Sequence, residues 1–247
     1  VMELLDSGRL HRYNTVGAEL SDAAVLEQDF AQYQGRKYCL ACTSGGYGLH
    51  IALRAMGLQS GDQVLTNAYT LAPVPGAIHA AGGKPVLVEI DENYHLDLAD
   101  LEAKAKSSNA KILLLSLMRG HIPDMDRLMA LCNDLGLQVL EDCAHTMGGS
   151  WGDKKSGNFG QVAAFSLQTY KHLNTGEGGL VVTDDADIAA RLIMHSGSYM
   201  LYERHGAAPS PEVFENIRLI SANMSGRMDN IRAVSYTHLT LPTILLV

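Results

Sequence analysis

Short apolar runs alternate with segments of helical spacing along most of the chain, and this alternation limits the fold more than any other feature. Seven runs have the length of a buried strand, and they cover residues 37–44, 62–69, 84–90, 111–117, 137–143, 162–168 and 178–184. Helical segments lie between them, the clearest at 124–136 and 185–197. This alternation is typical of a parallel sheet covered on both faces by helices. The sequence therefore predicts an α/β domain with a mostly parallel central sheet.

Length, charge and cysteine content narrow the class of protein. The 247 residues are 47% hydrophobic, enough for one large core or for one core with a small lobe. The formal net charge of −8 argues against nucleic acid as a partner. No run has the apolar length of a bilayer span, and four cysteines are too few for a disulfide framework. We therefore expect a cytoplasmic protein that binds neither nucleic acid nor membrane.

Three groups of chemically useful residues lie where predicted strands end. Open α/β sheets bind ligands at these carboxyl ends of their strands. In "TSGGYGLH" a strand ends near Ser44, Gly45 and Gly46 allow close approach of the backbone, and a helix begins. The free amides of a first helical turn can bind a phosphate. A tight turn without a ligand is the alternative interpretation of the same residues.

The second group ends the run 137–143. Asp142 follows the apolar part of this run, and His145 lies three residues further on, on the same side if the chain turns helically. A carboxylate at this position could hold a ring nitrogen in its protonated state. It could equally cap a turn, and the sequence leaves both interpretations open.

The third group lies in "SLQTYKHLNTGEGGL", residues 166–180. Ser166 and Lys171 are five residues apart, and the glycines that follow allow a tight turn. A partly desolvated lysine amine can condense with a carbonyl group, although most lysines are solvated surface charges. Phosphate donors, an acid for a ring nitrogen and an amine for an aldehyde are the three groups that pyridoxal 5'-phosphate (PLP) requires. Together they predict PLP as the cofactor.

Cys39 and Cys42 form a C-x-x-C pair, a spacing that zinc sites and redox centres use. Zinc needs a second pair, and positions three apart on a strand point to opposite faces. We therefore expect these thiols to pack in the core, and we predict no metal site.

Several stretches resemble the DegT/StrS family of sugar aminotransferases. They are "LEQDFAQYQGRKYCLACTSGGYGLHIAL", "GDQVLTNAYTLAPVPGAIHAAGGKPVLVEID", "GHIPDMDRL", "VLEDCAHTMGG" and "AAFSLQTYKHLNTGEGGLVVT". The resemblance runs in order from Glu27 to Ala233, and its most specific part is the lysine that precedes TGEGG. The family consists of PLP enzymes of fold type I, so the resemblance implies a three-layer α/β/α large domain.

The resemblance also implies roles for individual residues. Lys171 would bind PLP covalently, Asp142 would pair with the pyridinium nitrogen, and His145 would lie beside the ring and its 3-oxygen. Lys171 and Asp142 are thus the predicted catalytic residues.

The phosphate would be bound by Ser166 together with the backbone amides of Gly45 and Gly46. Asn223 would reach the phosphate of the neighbouring subunit, which implies a homodimer with shared active sites. Two positions depart from the family. Gly46 stands in place of a usual threonine, so one hydroxyl is missing, and Leu71 stands where an aromatic ring usually stacks on the cofactor.

The function that follows from the resemblance is transfer of an amino group from glutamate or glutamine to a keto sugar, in nucleotide-linked form. A keto-cyclitol is an alternative acceptor. A PLP-dependent sugar dehydratase is a second alternative, disfavoured because those relatives have histidine where this chain has Lys171. A PLP-binding regulator or an inactive fragment is a third, because the family continues past the last residue of this chain.

Residues 1–234 are predicted to form the PLP-binding large domain, with residues 1–25 packing toward a small domain that lies beyond this sequence. Residues 235–247, "SYTHLTLPTILLV", turn β-branched and apolar directly after a helical pattern. We interpret them as a non-native tail, with an ordinary terminal strand as the alternative.

Overall fold

The computed structural model describes residues 1–221 and 224–235. Its internal contacts divide the chain into two compact units. The first unit comprises Val1–Gly48 and Ser166–Val247, and the second comprises Leu49–Phe165. The predicted site residue Asn223 and residues 236–247 of the predicted tail lie outside the described residues.

The elements follow one another in the alternation that the sequence predicts. In chain order they are α1 Met2–Ser7, α2 Asp22–Gln34, β1 Tyr38–Cys42, α3 Gly45–Ala55, β2 Gln63–Asn67, α4 Pro73–Ala80, β3 Lys84–Val88, α5 Leu98–Ser107, β4 Ile112–Ser116, α6 Met125–Asp134, β5 Gln138–Asp142, β6 Ser150–Trp151, β7 Lys154–Lys155, β8 Val162–Ser166, β9 Gly179–Thr183 and α7 Ala186–His195. Short 3-10 turns lie at Met118–Gly120, Tyr202–Arg204 and Pro211–Phe214, and residues 230–235 are helical. Each of the seven apolar runs contains one strand.

A parallel sheet forms the centre of the second unit, with its strands in the order β3, β2, β4, β5 and β8. Every residue of β4 and of β8 is buried. Side chains of a strand point alternately to the two faces, so both faces of the sheet are covered. The fold is therefore the predicted α/β arrangement with a mostly parallel sheet.

The strand β3 corrects one expectation. The run 84–90 has the composition of a buried strand, but Lys84, Pro85 and Leu87 are exposed, the last at 50%. Within the residues that the structure describes, the strand is an edge strand of the sheet and pairs with β2 alone. Proline is tolerated there because an edge strand need not donate every backbone hydrogen bond.

Helix boundaries follow the capping signals in the sequence. Asp124 caps α6 by accepting a hydrogen bond from Arg127 N at 3.0 Å, and Gly136 follows the helix with a φ of 66°. Asp185 caps α7 in the same way through Ile188 N. Both helices lie within the predicted segments because a side-chain acceptor satisfies a first-turn amide at each start.

In the first unit, β1 pairs with β9 in antiparallel register from Tyr38↔Thr183 to Cys42↔Gly179. A buried ion pair packs against β1. In this pair Arg12 donates to both carboxylate oxygens of Glu27, at 2.8 and 2.7 Å. Glu27 Oε1 also accepts from Ala41 N at 2.8 Å. The strand that leads to the start of α3 is therefore bonded to a buried charged pair.

Among the described residues, none of the helices combines the length and the apolar character that a membrane crossing needs.

Candidate active site

The loop that carries Lys171 is closed at its base by backbone hydrogen bonds. Leu167 N donates to Gly178 O at 2.9 Å, and Thr175 N donates to Leu167 O at 3.0 Å. Within the loop, Lys171 N donates to Gln168 O at 2.8 Å. Lys171 is half-buried, so the residue is neither fully solvated nor sealed in the core.

Close backbone packing requires a glycine at position 179, and Gly178 is crowded by flexible side chains. A Cβ at position 179 would lie 2.4 Å from the carbonyl carbon and oxygen of Ser44 and 2.7 Å from Gly45 N. A Cβ at Gly178 would lie 2.7 Å from Met228 Cε. The end of the lysine loop therefore packs directly on the turn where α3 begins.

The start of α3 has the amides that an anion needs. Ser44 Oγ accepts from Tyr47 N at 3.1 Å, and Ser44 O accepts from Gly48 N at 2.9 Å. Within the described part of the chain, no acceptor is hydrogen-bonded to the amides of Gly45 and Gly46. Unpaired amides at a helix N-terminus, where the helix dipole is positive, favour a phosphate group.

Ser166 adds a hydroxyl in the same unit. It is the last residue of β8 and is 8% exposed. Its Oγ accepts from Gln168 N at 3.3 Å, and no acceptor for the hydroxyl hydrogen occurs among the residues described. Two amides and one hydroxyl without protein acceptors are the kinds of donor that a phosphate accepts, even though Gly46 contributes no hydroxyl of its own.

Asp142 ends β5 in the second unit and is half-buried. Its Oδ1 accepts from Ala144 N at 3.2 Å, and its Oδ2 accepts from Ser116 Oγ at 3.4 Å. Both bonds are donated to the carboxylate, as an ionised side chain requires. The carboxyl group is therefore suited to hold a cationic ring nitrogen.

Glu141, the acid that precedes Asp142, has a different environment. Glu141 is fully buried and accepts hydrogen bonds from the backbone amides of Gly157, Phe159 and Gly160, at 2.8, 2.8 and 2.7 Å. These bonds satisfy a buried charge and fix the segment that leads to β8. Of the two adjacent acids, Glu141 stabilises the fold, whereas Asp142 lies at the carboxyl end of the parallel strands.

His145 follows β5 in a turn and is half-buried. Its Nδ1 accepts from Arg119 N at 3.3 Å, so the neutral ring carries its proton on Nε2. Arg119 has a φ of 53°, a left-handed conformation that is uncommon for a residue with a side chain. Such strain is often found at functional sites.

The sequence profile of the DegT/DnrJ/EryC1/StrS aminotransferase family matches residues 1–240. The chain belongs to this family. GDP-perosamine synthase of Caulobacter vibrioides is 38% identical over 176 residues, which cover 71% of this chain and 47% of that protein. Spore coat polysaccharide biosynthesis protein SpsC of Bacillus subtilis is 34% identical over 211 residues, covering 84% and 52%. The chain spans about half the length of these curated relatives.

Among solved structures, S. venezuelae DesV in complex with a ketimine intermediate is 31% identical and matches with a TM-score of 0.78. The match covers 96% of this DegT-family chain and 59% of DesV. The similarity extends the family assignment from sequence to the fold.

The position at which the DegT/StrS pattern usually has an aromatic ring is Leu71, and this side chain is 46% exposed. An aromatic group lies two residues earlier. Tyr69 packs against Tyr94 with ring centroids 5.1 Å apart, and Tyr94 lies 5.4 Å from the ring of His121. The rings of Tyr94 and His121 belong to loops that the sequence analysis did not single out.

The predicted site residues of this family member fall into two groups. The first unit holds Gly45, Gly46, Ser166 and Lys171, and the second unit holds Leu71, Asp142 and His145. Sequence analysis missed the polar residues around Asp142, which are Asn67, Thr70 and Ser116. Their only signal in the sequence is that Asn67 and Ser116 lie near the end of an apolar run and Thr70 follows one, a feature that many structural residues share.

The thiols of the C-x-x-C pair pack in the core, as predicted. Cys39 is 4% exposed and Cys42 is fully buried on β1. Burial raises the pKa of Cys42 to about 12. Since metal ligation and redox chemistry use the thiolate, this environment disfavours both.

Proposed function

We propose that this chain forms the cofactor-binding part of a PLP-dependent aminotransferase that moves an amino group from glutamate or glutamine to a keto sugar in nucleotide-linked form. Membership of an aminotransferase family supports the reaction type. The observation that carries the proposal is the packing of Gly179, at the end of the Lys171 loop, on the unpaired amides at the start of α3. A reactive amine and a phosphate-binding turn then belong to one compact unit.

The phosphate would be held by the Ser166 hydroxyl and by the amides of Gly45 and Gly46, with the dipole of α3 adding a positive potential. Asp142 would hold the proton of the ring nitrogen, and His145 would donate its Nε2–H to the ring 3-oxygen. When bound, PLP supplies an electron-accepting ring next to the carbon at which the amino group is exchanged.

Lys171 would act twice. Its amine would first hold the aldehyde carbon of the cofactor and would be released when an amino substrate replaces it. The free amine would then take a proton from the substrate carbon and return it to the cofactor carbon. A half-buried lysine suits both steps, since its amine must be reachable by substrate and must lose its proton easily.

The biological setting is part of the same proposal. The names of two relatives, a GDP-perosamine synthase and a spore coat polysaccharide biosynthesis protein, support amino-sugar or polysaccharide biosynthesis. We further propose a cytoplasmic homodimer in which Asn223 of each subunit contributes to the other's phosphate site.

The first experiment tests the cofactor and its attachment. PLP-loaded protein is reduced with borohydride, digested and analysed by peptide mass spectrometry, and a phosphopyridoxyl group is expected on Lys171. The label should be absent from Lys171→Ala and present in Lys37→Ala, which changes an exposed lysine of the same unit. A label on another lysine of the wild type would contradict the assignment.

The second experiment tests the reaction. PLP-loaded protein is incubated separately with L-glutamate and L-glutamine, and the pyridoxamine 5'-phosphate released after denaturation is measured. Nucleotide-linked keto sugars and free keto-cyclitols are then compared as acceptors. Sugar dehydration without consumption of an amino donor would favour the dehydratase alternative over the aminotransferase.

A further inference from the structure

We propose that Ser116 is a positioning residue for Asp142, and that Asn67 and Thr70 hold it in place. In this arrangement the Ser116 hydroxyl donates to Asp142 Oδ2 and favours the ionised carboxylate. The importance of that charge for catalysis rests on the proposed function, whereas the arrangement itself is a property of the chain.

Asn67 lies where two neighbouring strands of the second unit stop pairing. The ladder between β2 and β4 ends at Thr66↔Leu114, while β4 continues beside β5 to Ser116↔Asp142. Strands that separate at their carboxyl ends open the crevice in which α/β proteins bind ligands. Ser116 therefore lies at the end of a strand that has lost its backbone partner on one side.

The side chain of Asn67 replaces that backbone partner. Its Oδ1 accepts from Ser116 N at 3.0 Å, and its Nδ2 donates to Ser116 O at 3.1 Å. Asn67 is 4% exposed and Ser116 is 3% exposed, so water does not compete for these bonds. Two bonds to one residue fix the backbone of Ser116 and limit the directions in which its side chain can point.

Thr70 sets the direction of the hydroxyl. Thr70 Oγ1 donates to Ser116 Oγ at 2.7 Å, and Ser116 Oγ donates to Asp142 Oδ2 at 3.4 Å. Each hydroxyl has one hydrogen, so donation by Thr70 leaves the Ser116 hydrogen for the carboxylate. Donation along a chain polarises the second hydroxyl and strengthens its bond to a charged acceptor.

The second bond of this chain is longer than the usual O–H···O distance of about 2.7 Å. Asp142 is also held by Ala144 N through its other oxygen. The Ser116 hydroxyl therefore shares the positioning of the side chain with this amide. It also acts on charge, because a hydrogen bond donated to a carboxylate favours the ionised form.

The test follows the protonation of Asp142 in the full chain without PLP. Aspartate carboxyl carbons are labelled with 13C, and the Asp142 signal is assigned by its loss in Asp142→Asn. In Ser116→Ala the midpoint of the Asp142 titration should move upward by about one pH unit, the effect of losing one charge-assisted hydrogen bond. Thr70→Val should move it in the same direction by a smaller amount.

Conservative variants separate a hydroxyl effect from a packing effect. Ser116→Thr and Thr70→Ser keep the hydroxyl groups and should keep the wild-type midpoint. Thr70 is only half-buried, so its two variants provide the comparison even if changes at position 116 prevent folding. Midpoints in Thr70→Val and in any folded Ser116→Ala that equal the wild-type value would overturn the proposal.

The outcome does not depend on the proposed reaction, because no cofactor is present in the titration. A shifted midpoint in a chain that fails the borohydride test would keep the positioning role of Ser116 and reject the aminotransferase. An unshifted midpoint in a chain that carries PLP on Lys171 would reject the positioning role of Ser116 and leave the proposed aminotransferase in place.

Discussion

Gly179 and Ser44 approach each other so closely that no side chain fits between them. A Cβ at position 179 would lie 2.4 Å from the carbonyl carbon and oxygen of Ser44, well inside van der Waals contact. Ser44 caps α3, so the contact joins the loop of Lys171 to the turn whose amides suit a phosphate. The lysine and the phosphate site are therefore expected to respond together to a change at this contact.

Gly179→Ala should displace this turn. Overpacking of a tight contact costs about 1–3 kcal/mol of stability, and the shifted amides should also bind PLP more weakly. Urea unfolding and PLP titration measure the two effects.

In the matched control, Gly76→Ala in α4, the added Cβ meets nothing within 4 Å. That variant should keep PLP affinity and gain roughly 0.5–1 kcal/mol of helix stability. Wild-type PLP affinity in Gly179→Ala would contradict the link between loop and turn.

The sequence alone predicts the lysine loop but not the reason for its glycines. The series "NTGEGG" indicates a turn after Lys171. The identity of the surface that excludes a side chain at position 179 depends on the register in which β9 meets β1. Register is a property of the folded sheet, and a local pattern does not specify the partner of a glycine.

The contacts of Asp142 likewise could not be predicted from local sequence patterns. Apolar runs and capping residues are local signals, and they predict the strands and the helices α6 and α7. Ser116 is separated from Asn67 by 49 residues, and from Asp142 by 26, and joins them only because three parallel strands end at one edge. The sequence also gives no sign of which acid in "LED" is buried, because the answer depends on amides at 157–160.

Glu141 and Asp142 should therefore respond differently to the same loss of charge. Glu141→Gln replaces one carboxylate oxygen, which accepts backbone bonds, with an amide nitrogen that can only donate. It should lower the free energy of unfolding by roughly 2–4 kcal/mol. Asp142→Asn should change stability by less than about 1 kcal/mol and abolish amino transfer in PLP-loaded protein. Urea unfolding and the glutamate half-reaction distinguish the two. Equal losses of stability in both variants would show that Asp142 is structural as well.

Arg12, Glu27 and His205 form a buried cluster against β1, in which His205 Nε2 lies 3.1 Å from Glu27 Oε2. This cluster predicts a loss of stability in acid. Burial lowers the pKa of His205, and the charge of Arg12 lowers it further, against the opposing effect of Glu27. Burial opposes the ionisation of Glu27, but Arg12 and His205 outweigh it through charge and hydrogen bonds and lower the pKa of Glu27 to about 2. Both groups therefore bind protons less readily in the folded chain than in the unfolded chain.

The direction of this pH effect follows from the difference in proton binding between the folded and unfolded chain. Because the unfolded chain takes up more protons, the free energy of unfolding rises with pH. The contribution of His205 is complete above its ordinary pKa of 6.5 and decreases as the pH falls below that value. The contribution of Glu27 is complete above its ordinary pKa of 4.5 and is lost as the pH falls toward about 2. Acid should thus weaken the fold in two successive ranges.

A histidine variant isolates the first range. Urea unfolding from neutral pH to about pH 4.5 should show a smaller decrease in the free energy of unfolding for His205→Asn than for the wild type. His11 and His50, whose pKa values burial also lowers, act in the same direction and account for the decrease that persists. His79→Asn changes an exposed histidine on α4 and should keep the wild-type slope. Equal slopes in His205→Asn and the wild type would mean that Glu27 and Arg12 hold the cluster without a contribution from the neutral imidazole.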